Sequence, residues 1–204
     1  MNSGKGFFHK WFTKSKGEEK MAVEPLKIGI ILGSTRDGRV SPQVGEWVKE
    51  LADKRGDAAY EIVDIADYQL PLLGTTDGQE PGIAAWNQKL AELDGFVFIV
   101  QEYNHSLSAA LKNAFDFARE AWNNKSAGIV SYGSTGGARA AEHVRGIMGE
   151  LMIADVRTHP TLSLFTDFEN FNTFKPASLH EANVNMMLDQ VLSWGQALKP
   201  IRNV

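Results

Sequence analysis

Short apolar runs alternate with helical patterns along this chain, and this alternation restricts the possible folds more than any other feature. Four runs are mainly apolar and a fifth, more polar run follows them: Leu26–Leu32, Tyr60–Ile65, Phe96–Val100, Ala127–Tyr132 and Val156–Leu164. Runs of this kind are typical of strands that are buried on both faces of a parallel sheet. The sequence therefore predicts an α/β protein.

The segments between these runs have helical periodicity. We predict five helices, over Pro42–Lys54, Gly82–Leu93, Ser106–Ala121, Gly137–Ile153 and Leu179–Leu198. The first has a proline just inside its start and Ser41 before it as the N-cap. Strand–helix alternation implies right-handed crossovers, so we expect a doubly wound, five-stranded parallel sheet in the order 2-1-3-4-5.

The first 24 residues differ from the rest, so we divide the chain into an extension, 1–24, and one domain, 25–204. The extension carries several lysines, and its aromatic residues share one helical face: Phe7, Phe8, Trp11 and Phe12. It lacks the apolar core of a secretory signal. Two interpretations stay open. The segment is either a flexible tail or upstream extension before a second Met at Met21, or a surface for a partner or for weak membrane contact through residues 5–16.

Charge and composition exclude several classes of protein. The net charge of −4 argues against nucleic-acid binding, and the absence of Cys excludes disulfides, thiolate nucleophiles and Cys-ligated metals. The five His residues show no metal-ligand spacing, so we predict no metal site. A Cys-free chain with no apolar run long enough to span a bilayer fits a cytoplasmic protein.

The loop Gly33–Ser41 follows the first predicted strand and has the composition of a phosphate site. Ser34 and Ser41 offer hydroxyl donors, while Arg36 and Arg39 offer guanidinium groups that match phosphate oxygens. The next helix would direct its free N–H groups toward the same place. The alternative is a solvated basic loop.

The spacing of the glycines within this loop restricts the class of phosphate ligand that it could bind. Gly33 and Gly38 have the spacing of a nucleoside-triphosphate loop, but Arg39 and Val40 replace its lysine and its magnesium-binding hydroxyl. A dinucleotide fingerprint needs three glycines, of which only Gly33 is in place. A monophosphate held by hydroxyls and arginines fits better.

Two further strand ends are predicted to lie beside this loop, at 101–106 and 131–137. Tyr103 and Tyr132 could form walls for a flat ring, and Gly133 would let backbone groups approach it closely. Ordinary strand-end tyrosines and turn glycines remain the alternative for each loop taken alone.

Together these motifs resemble the NADPH-dependent FMN reductase family. The resemblance covers about 26–200 and rests on three motifs: 33–41, Glu102-Tyr103-Asn104 with Leu111-Lys112-Asn113-Ala114-x-Asp116, and Tyr132-Gly133-x-x-Gly136-Gly137-x-Arg139-Ala140. It implies a flavodoxin-like three-layer sandwich with FMN as cofactor and NADPH or NADH as co-substrate. It also implies ping-pong reduction of quinones, azo dyes, metal ions or free flavin by a homodimer or homotetramer.

The resemblance also implies the site residues, while the chemistry is carried by FMN and no side chain is assigned as catalytic. The phosphate would be held by Ser34, Arg36, Arg39 and Ser41. The ring would be bordered by Glu102, Tyr103 and Asn104 on one edge and by Tyr132, Gly133 and Ser134 on the other. The chain departs from the family at Gln101 and near Ser108 or Ala109, where the family often has proline.

Two nearby side chains have two interpretations each, and a third has one. Arg139 is either a receptor for the phosphate of NADPH or part of a surface salt bridge, and Glu102 could make a polar contact across a dimer interface. His105 either meets the substrate or is a plain surface residue.

Two other functions remain as alternatives. One is a non-enzymatic flavodoxin-type electron carrier, although such carriers are usually more acidic than this chain. The other is a docking module that has lost its flavin, which the intact arginines of the first loop speak against.

Overall fold

A parallel sheet forms the centre of the protein. The structure is a computed structural model that describes residues 24–203, so the predicted extension lies outside the described residues apart from Glu24. The main strands are β1 (Lys27–Leu32), β2 (Ala59–Asp64), β3 (Gly95–Gln101), β4 (Lys125–Gly133) and β5 (Ile153–Asp155). Their order is β2-β1-β3-β4-β5, which confirms the predicted topology.

Within the described residues, five α-helices cover the sheet, as predicted. They are α1 (Ser41–Asp53), α2 (Pro81–Glu92), α3 (Ala109–Asp116), α4 (Ala138–Glu150) and α5 (Leu179–Leu198). Short 3₁₀ turns lie at Ile65–Tyr68, Glu120–Trp122 and Lys199–Asn203. In the part of the chain that the structure describes, no helix is long and apolar enough to cross a bilayer.

The helices form two layers because each strand presents apolar side chains to both faces. Every residue of β3 and β4 is buried. One core contains side chains from α1 and α5, and the other contains side chains from α2, α3 and α4. The strand residue Gly128 allows α5 to pack closely, since a Cβ there would lie 2.7 Å from the Met187 side chain.

The fifth predicted strand, Val156–Leu164, differs from the structure. This edge of the sheet is divided between β5 and a short β6 (Thr161–Ser163), and both pair in parallel with β4. Between them Pro160 has no N–H to donate, although its carbonyl accepts from the Ser131 N–H at 3.0 Å. Between residues 24 and 203 the sheet therefore has six strands instead of the predicted five.

Two local predictions are wrong. The third helix was expected over Ser106–Ala121 but starts only at Ala109, because the Ser108 hydroxyl caps it by accepting from the Leu111 N–H at 3.0 Å. Ser41 is the first residue of α1 and Val40 occupies the N-cap position without a side-chain cap. The Ser41 hydroxyl is therefore left free for another partner.

The connection between β6 and α5 contains a small hairpin. Its strands are β7 (Phe168–Glu169) and β8 (Thr173–Phe174), paired antiparallel. The side chain of Gln43, from the first turn of α1, holds it through two bonds, to the Asn172 carbonyl at 2.9 Å and from the Phe174 N–H at 2.8 Å. The hairpin is thus attached to the helix that follows the first loop.

Candidate functional site

Three loops meet at the carboxyl edge of the sheet, where β1, β3 and β4 end side by side. The Glu102 N–H donates to the Tyr132 carbonyl at 3.0 Å and so joins the second loop to the third. The Ser34 hydroxyl lies 3.0 Å from the Tyr103 hydroxyl and joins the first loop to the second. The structure therefore brings together the three motifs found in the sequence.

The first loop has backbone donors without acceptors. From Ser34 to Ser41, among the described residues, only the Arg39 N–H has a hydrogen-bond acceptor, the Arg36 carbonyl at 3.1 Å. Gly38 has a φ of +67°, a left-handed conformation that glycine adopts without strain. A series of free N–H groups before the start of a helix is a favourable place for an anion.

Buried hydroxyls without partners point to the same place. The Oγ of Ser41 and the hydroxyl of Tyr132 are buried, and neither has a hydrogen-bond partner in the described structure. Burial raises the pKa of Tyr132, and Tyr103 raises it further. The nearby hydroxyl of Ser41 and the positive charges of Arg36 and Arg39 lower it, but by less than burial raises it. Buried hydroxyls are rarely left unsatisfied, so these two fit a site that is completed by a bound group.

The two arginines of the first loop have different environments. Arg36 is exposed and lies over the ring of Tyr103, 5.5 Å from its centroid. Arg39 makes two 2.6 Å bonds to the Asp64 carboxylate and a third to the Ser34 carbonyl. Its hydrogen bonding to Asp64 raises the pKa of Arg39. The guanidinium of Arg39 is thus occupied by protein groups, and its direct contact with a phosphate stays a prediction.

The second loop is a tight turn. Tyr103 and Ser106 exchange backbone hydrogen bonds of 2.9 and 3.1 Å, and the residues between them, Asn104 and His105, have φ values of 48° and 74°. Both are exposed at the tip of this two-residue loop. Left-handed residues other than glycine are uncommon and are often found at functional sites. The turn places Asn104 next to Tyr103, whose hydroxyl reaches the first loop.

Glu102 and Arg139 form an ion pair within one chain. The Arg139 N–H also donates to the Glu102 carboxylate at 3.2 Å. Burial alone would raise the pKa of Glu102, but hydrogen bonds from Arg139 and from the backbone outweigh it, and the pKa is lowered. For Arg139 the structure favours the salt bridge, while a contact of Glu102 across a dimer interface stays a prediction.

The third loop is built around glycines. Gly136 and Gly137 have φ values of 71° and 73°, and a Cβ on Gly137 would lie 2.8 Å from the backbone of Tyr132. A Cβ on Gly133 would lie 3.0 Å from the Glu102 side chain. Ser134 is exposed at the tip of the loop. These small residues let the third loop lie close against the second loop, and the predicted approach of its backbone to a ring stays a prediction.

Tyr132 lies deeper than a wall residue would. Only 5% of it is exposed, and its ring packs against Phe168 of the hairpin at a centroid distance of 5.8 Å. Tyr132 therefore presents its free hydroxyl, rather than the face of its ring, toward the first loop.

Sequence reasoning missed several polar residues that shape the site. They are Asp64, which binds Arg39, and Gln101 and Ser108, which both donate to the Gly33 carbonyl at 2.6 Å. Gln101 and Ser108 were noted only as departures from a family pattern. Asp64 ends a strand at the same edge as the first loop, and this position was the one signal that could have identified it.

Sequence comparison finds similarity to FMN reductases and quinone reductases. A family model described as NADPH-dependent FMN reductase matches residues 26–167. An NAD(P)H-dependent FMN reductase of Schizosaccharomyces pombe is 36% identical over 157 residues, which are 73% of this chain and 78% of the relative. A 2-hydroxy-1,4-benzoquinone reductase of a Burkholderia species is 34% identical over 137 residues, covering 63% of this chain and 73% of that protein.

A similarity of fold extends to solved structures. A flavoenzyme NAD(P)H:acceptor oxidoreductase of Paracoccus denitrificans superposes with a TM-score of 0.67 at 16% identity, covering 85% of this chain and 98% of that one. At this identity the comparison bears on the fold alone, and it agrees with the flavodoxin-like architecture.

Proposed function

Since the chain belongs to the NADPH-dependent FMN reductase family, we propose that its three loops form an FMN site at which NAD(P)H and an electron acceptor react in turn. The protein is an oxidoreductase with FMN as cofactor. Bound FMN supplies the hydride chemistry, and the protein supplies binding, orientation and electrostatics. The observation that carries the proposal is the series of unpartnered donors between Ser34 and Ser41.

The phosphate of FMN would lie on the first loop. Ser34 and Ser41 would donate hydroxyl hydrogen bonds, the free backbone N–H groups would complete the cradle, and Arg36 would supply charge from the exposed side. Arg39, predicted from the sequence to bind the phosphate directly, is better placed to hold the loop through Asp64 and the Ser34 carbonyl.

The ring of FMN would lie between the second and third loops. Glu102, Tyr103 and Asn104 would border one edge, and Tyr132, Gly133 and Ser134 the other. Tyr132 would contribute its hydroxyl. The ion pair with Arg139 keeps the Glu102 carboxylate negatively charged and fixed, so it would orient the backbone of both loops rather than exchange a proton.

A quinone is the acceptor that we propose first. The support comes from the relatives, among which are a benzoquinone reductase and several plant NADPH:quinone oxidoreductases. Azo dyes, metal ions and free flavin are the further acceptors to compare. We also propose a cytoplasmic location and, through residues 5–16, a weak contact with membrane surfaces.

We propose in addition that the protein is a homo-oligomer, a dimer or a tetramer. An open cleft between α3 and α4, with Leu107 and Ile147 in its lining, is the surface that we propose for the contact. Lys112 and Glu142 of this cleft are already paired within the chain, with Asp116 and Arg145, so apolar side chains would carry the contact. Light scattering at micromolar concentration tests the proposal, and a monomeric mass would contradict it.

An absorbance spectrum tests the central proposal. The purified protein, or the protein after incubation with FMN and gel filtration, should show a flavin spectrum that NADPH or NADH bleaches without oxygen. Steady-state oxidation of NAD(P)H with a benzoquinone then separates an enzyme from an electron carrier. A protein that retains no FMN would contradict the proposed site.

A further inference from the structure

The carbonyl of Gly33 has an unusual pair of partners. The Gln101 amide and the Ser108 hydroxyl both donate to it, each at 2.6 Å. Gln101 is 1% exposed and Ser108 is 6% exposed, so both bonds are shielded from water. A carbonyl oxygen has two lone pairs, and here protein donors engage both of them.

The surroundings of Gly33 fix the same peptide group. Its N–H donates to the Ile99 carbonyl at 3.1 Å, and a Cβ at Gly33 would lie 2.7 Å from that oxygen. The Oε1 of Gln101 is buried without a partner. The amide of Gln101 is thus oriented by its bond to Gly33, because the reversed amide would place oxygen against oxygen.

This arrangement determines the direction of the next N–H group. In a planar trans peptide the C=O of one residue and the N–H of the next point in opposite directions. Because the Gly33 carbonyl points toward β3 and the start of α3, the Ser34 N–H points away from them. That N–H has no acceptor among the described residues.

We propose that Gln101 and Ser108 are positioning residues that aim the Ser34 N–H at the phosphate of FMN. Gln101 ends the strand that leads into the second loop, and Ser108 is the N-cap of α3. Their two hydrogen bonds therefore also connect the second loop to the first. This positioning role rests on the proposed FMN site.

The test compares FMN with riboflavin, which has the same ring but no phosphate. Dissociation constants are measured by quenching of flavin fluorescence on the apoprotein. We expect Gln101→Met and Ser108→Ala each to weaken FMN binding by about 5- to 10-fold, the effect of losing one hydrogen bond. Riboflavin affinity should change less than about twofold, because the Ser34 N–H would not contact it. Ser108→Thr, which keeps the hydroxyl, should restore FMN binding.

Ser126→Ala is the matched control. The Ser126 hydroxyl is also buried and donates to a carbonyl, that of Val191 at 2.8 Å, but it lies at the opposite end of the sheet. Its loss should lower the melting temperature and leave FMN affinity unchanged. If Gln101→Met fails to fold, Ser108→Ala and its threonine rescue carry the test alone.

The outcomes separate this inference from the proposed function. If the wild-type protein binds no FMN, the proposed function fails. If the wild type binds FMN and both variants bind it equally well, or if FMN and riboflavin affinities fall by the same factor, the positioning role is wrong while the FMN site stands. A selective loss of FMN affinity supports the role.

Discussion

At the scale of single residues, Arg36 is the side chain whose loss should affect cofactor retention most directly. It is exposed beside the first loop and makes no hydrogen bond or salt bridge with the described residues. We expect Arg36→Ala to weaken FMN binding by about tenfold, because a charge-assisted contact with phosphate is lost, and Arg36→Lys to have a smaller effect. Flavin fluorescence titration measures both, with the exposed Arg119→Ala as the control. Unchanged retention would mean that the phosphate lies elsewhere.

Arg39 and Asp64 offer a second test, because two roles for Arg39 make different predictions. If Arg39 holds the loop, Arg39→Ala and Asp64→Ala should each weaken FMN binding to a similar degree, and the double variant should be no worse. If Arg39 binds the phosphate directly, Asp64→Ala should leave the affinity unchanged. We expect the first result, since the guanidinium is already bonded to Asp64. The double-mutant cycle in urea should show a coupling of about 1–2 kcal/mol for this partly buried pair.

At the scale of elements, the hairpin β7–β8 carries a strained aromatic residue. Asn170 and Phe171 have φ values of 51° and 61°, and Phe171 is 59% exposed with its ring against that of Phe165. Asparagine tolerates this conformation far better than phenylalanine. Phe171→Asn should therefore raise the free energy of unfolding by about 0.5–1 kcal/mol in a urea titration. Phe165→Asn removes the same ring contact without relieving strain, so it should not stabilise. Equal effects from both variants would contradict the strain.

The elements also show which features the sequence makes predictable. Strands buried on both faces and long amphipathic helices follow from periodicity, so sheet order and the bounds of α5 could be predicted. The short α3 and the divided edge strand could not, because they depend on a serine cap at Ser108 and on Pro160 within an extended run. A capping side chain or a proline changes where a helix or strand begins and ends without changing the apolar pattern of the sequence.

At the scale of the whole molecule, the meeting of the three loops was predictable and the contacts within them were not. The carboxyl ends of neighbouring parallel strands meet at one edge, so three polar loops had to converge there once the order was known. Which arginine is bonded to protein groups depends on a carboxylate from β2, and which carbonyl is held by two donors depends on Gln101 and Ser108. These contacts join residues that are far apart in the sequence, so the periodicity of the sequence does not reveal them.

The last prediction concerns the N-terminal segment and the domain as separate parts. Residues 24–203 contain the described sheet, both cores and all three loops, so deleting residues 1–20 should leave FMN affinity and melting temperature unchanged.

The same deletion should lower co-sedimentation with phosphatidylserine vesicles by at least about tenfold, because each lysine near an anionic surface contributes about 1 kcal/mol. Neutral vesicles and high salt should weaken binding of the full chain in the same way. A full-length variant keeps the lysines but has four aromatic residues replaced by serine: Phe7, Phe8, Trp11 and Phe12. It distinguishes the contribution of charge to vesicle binding from that of apolar insertion. A large loss of FMN affinity on deletion would show instead that the segment belongs to the cofactor site.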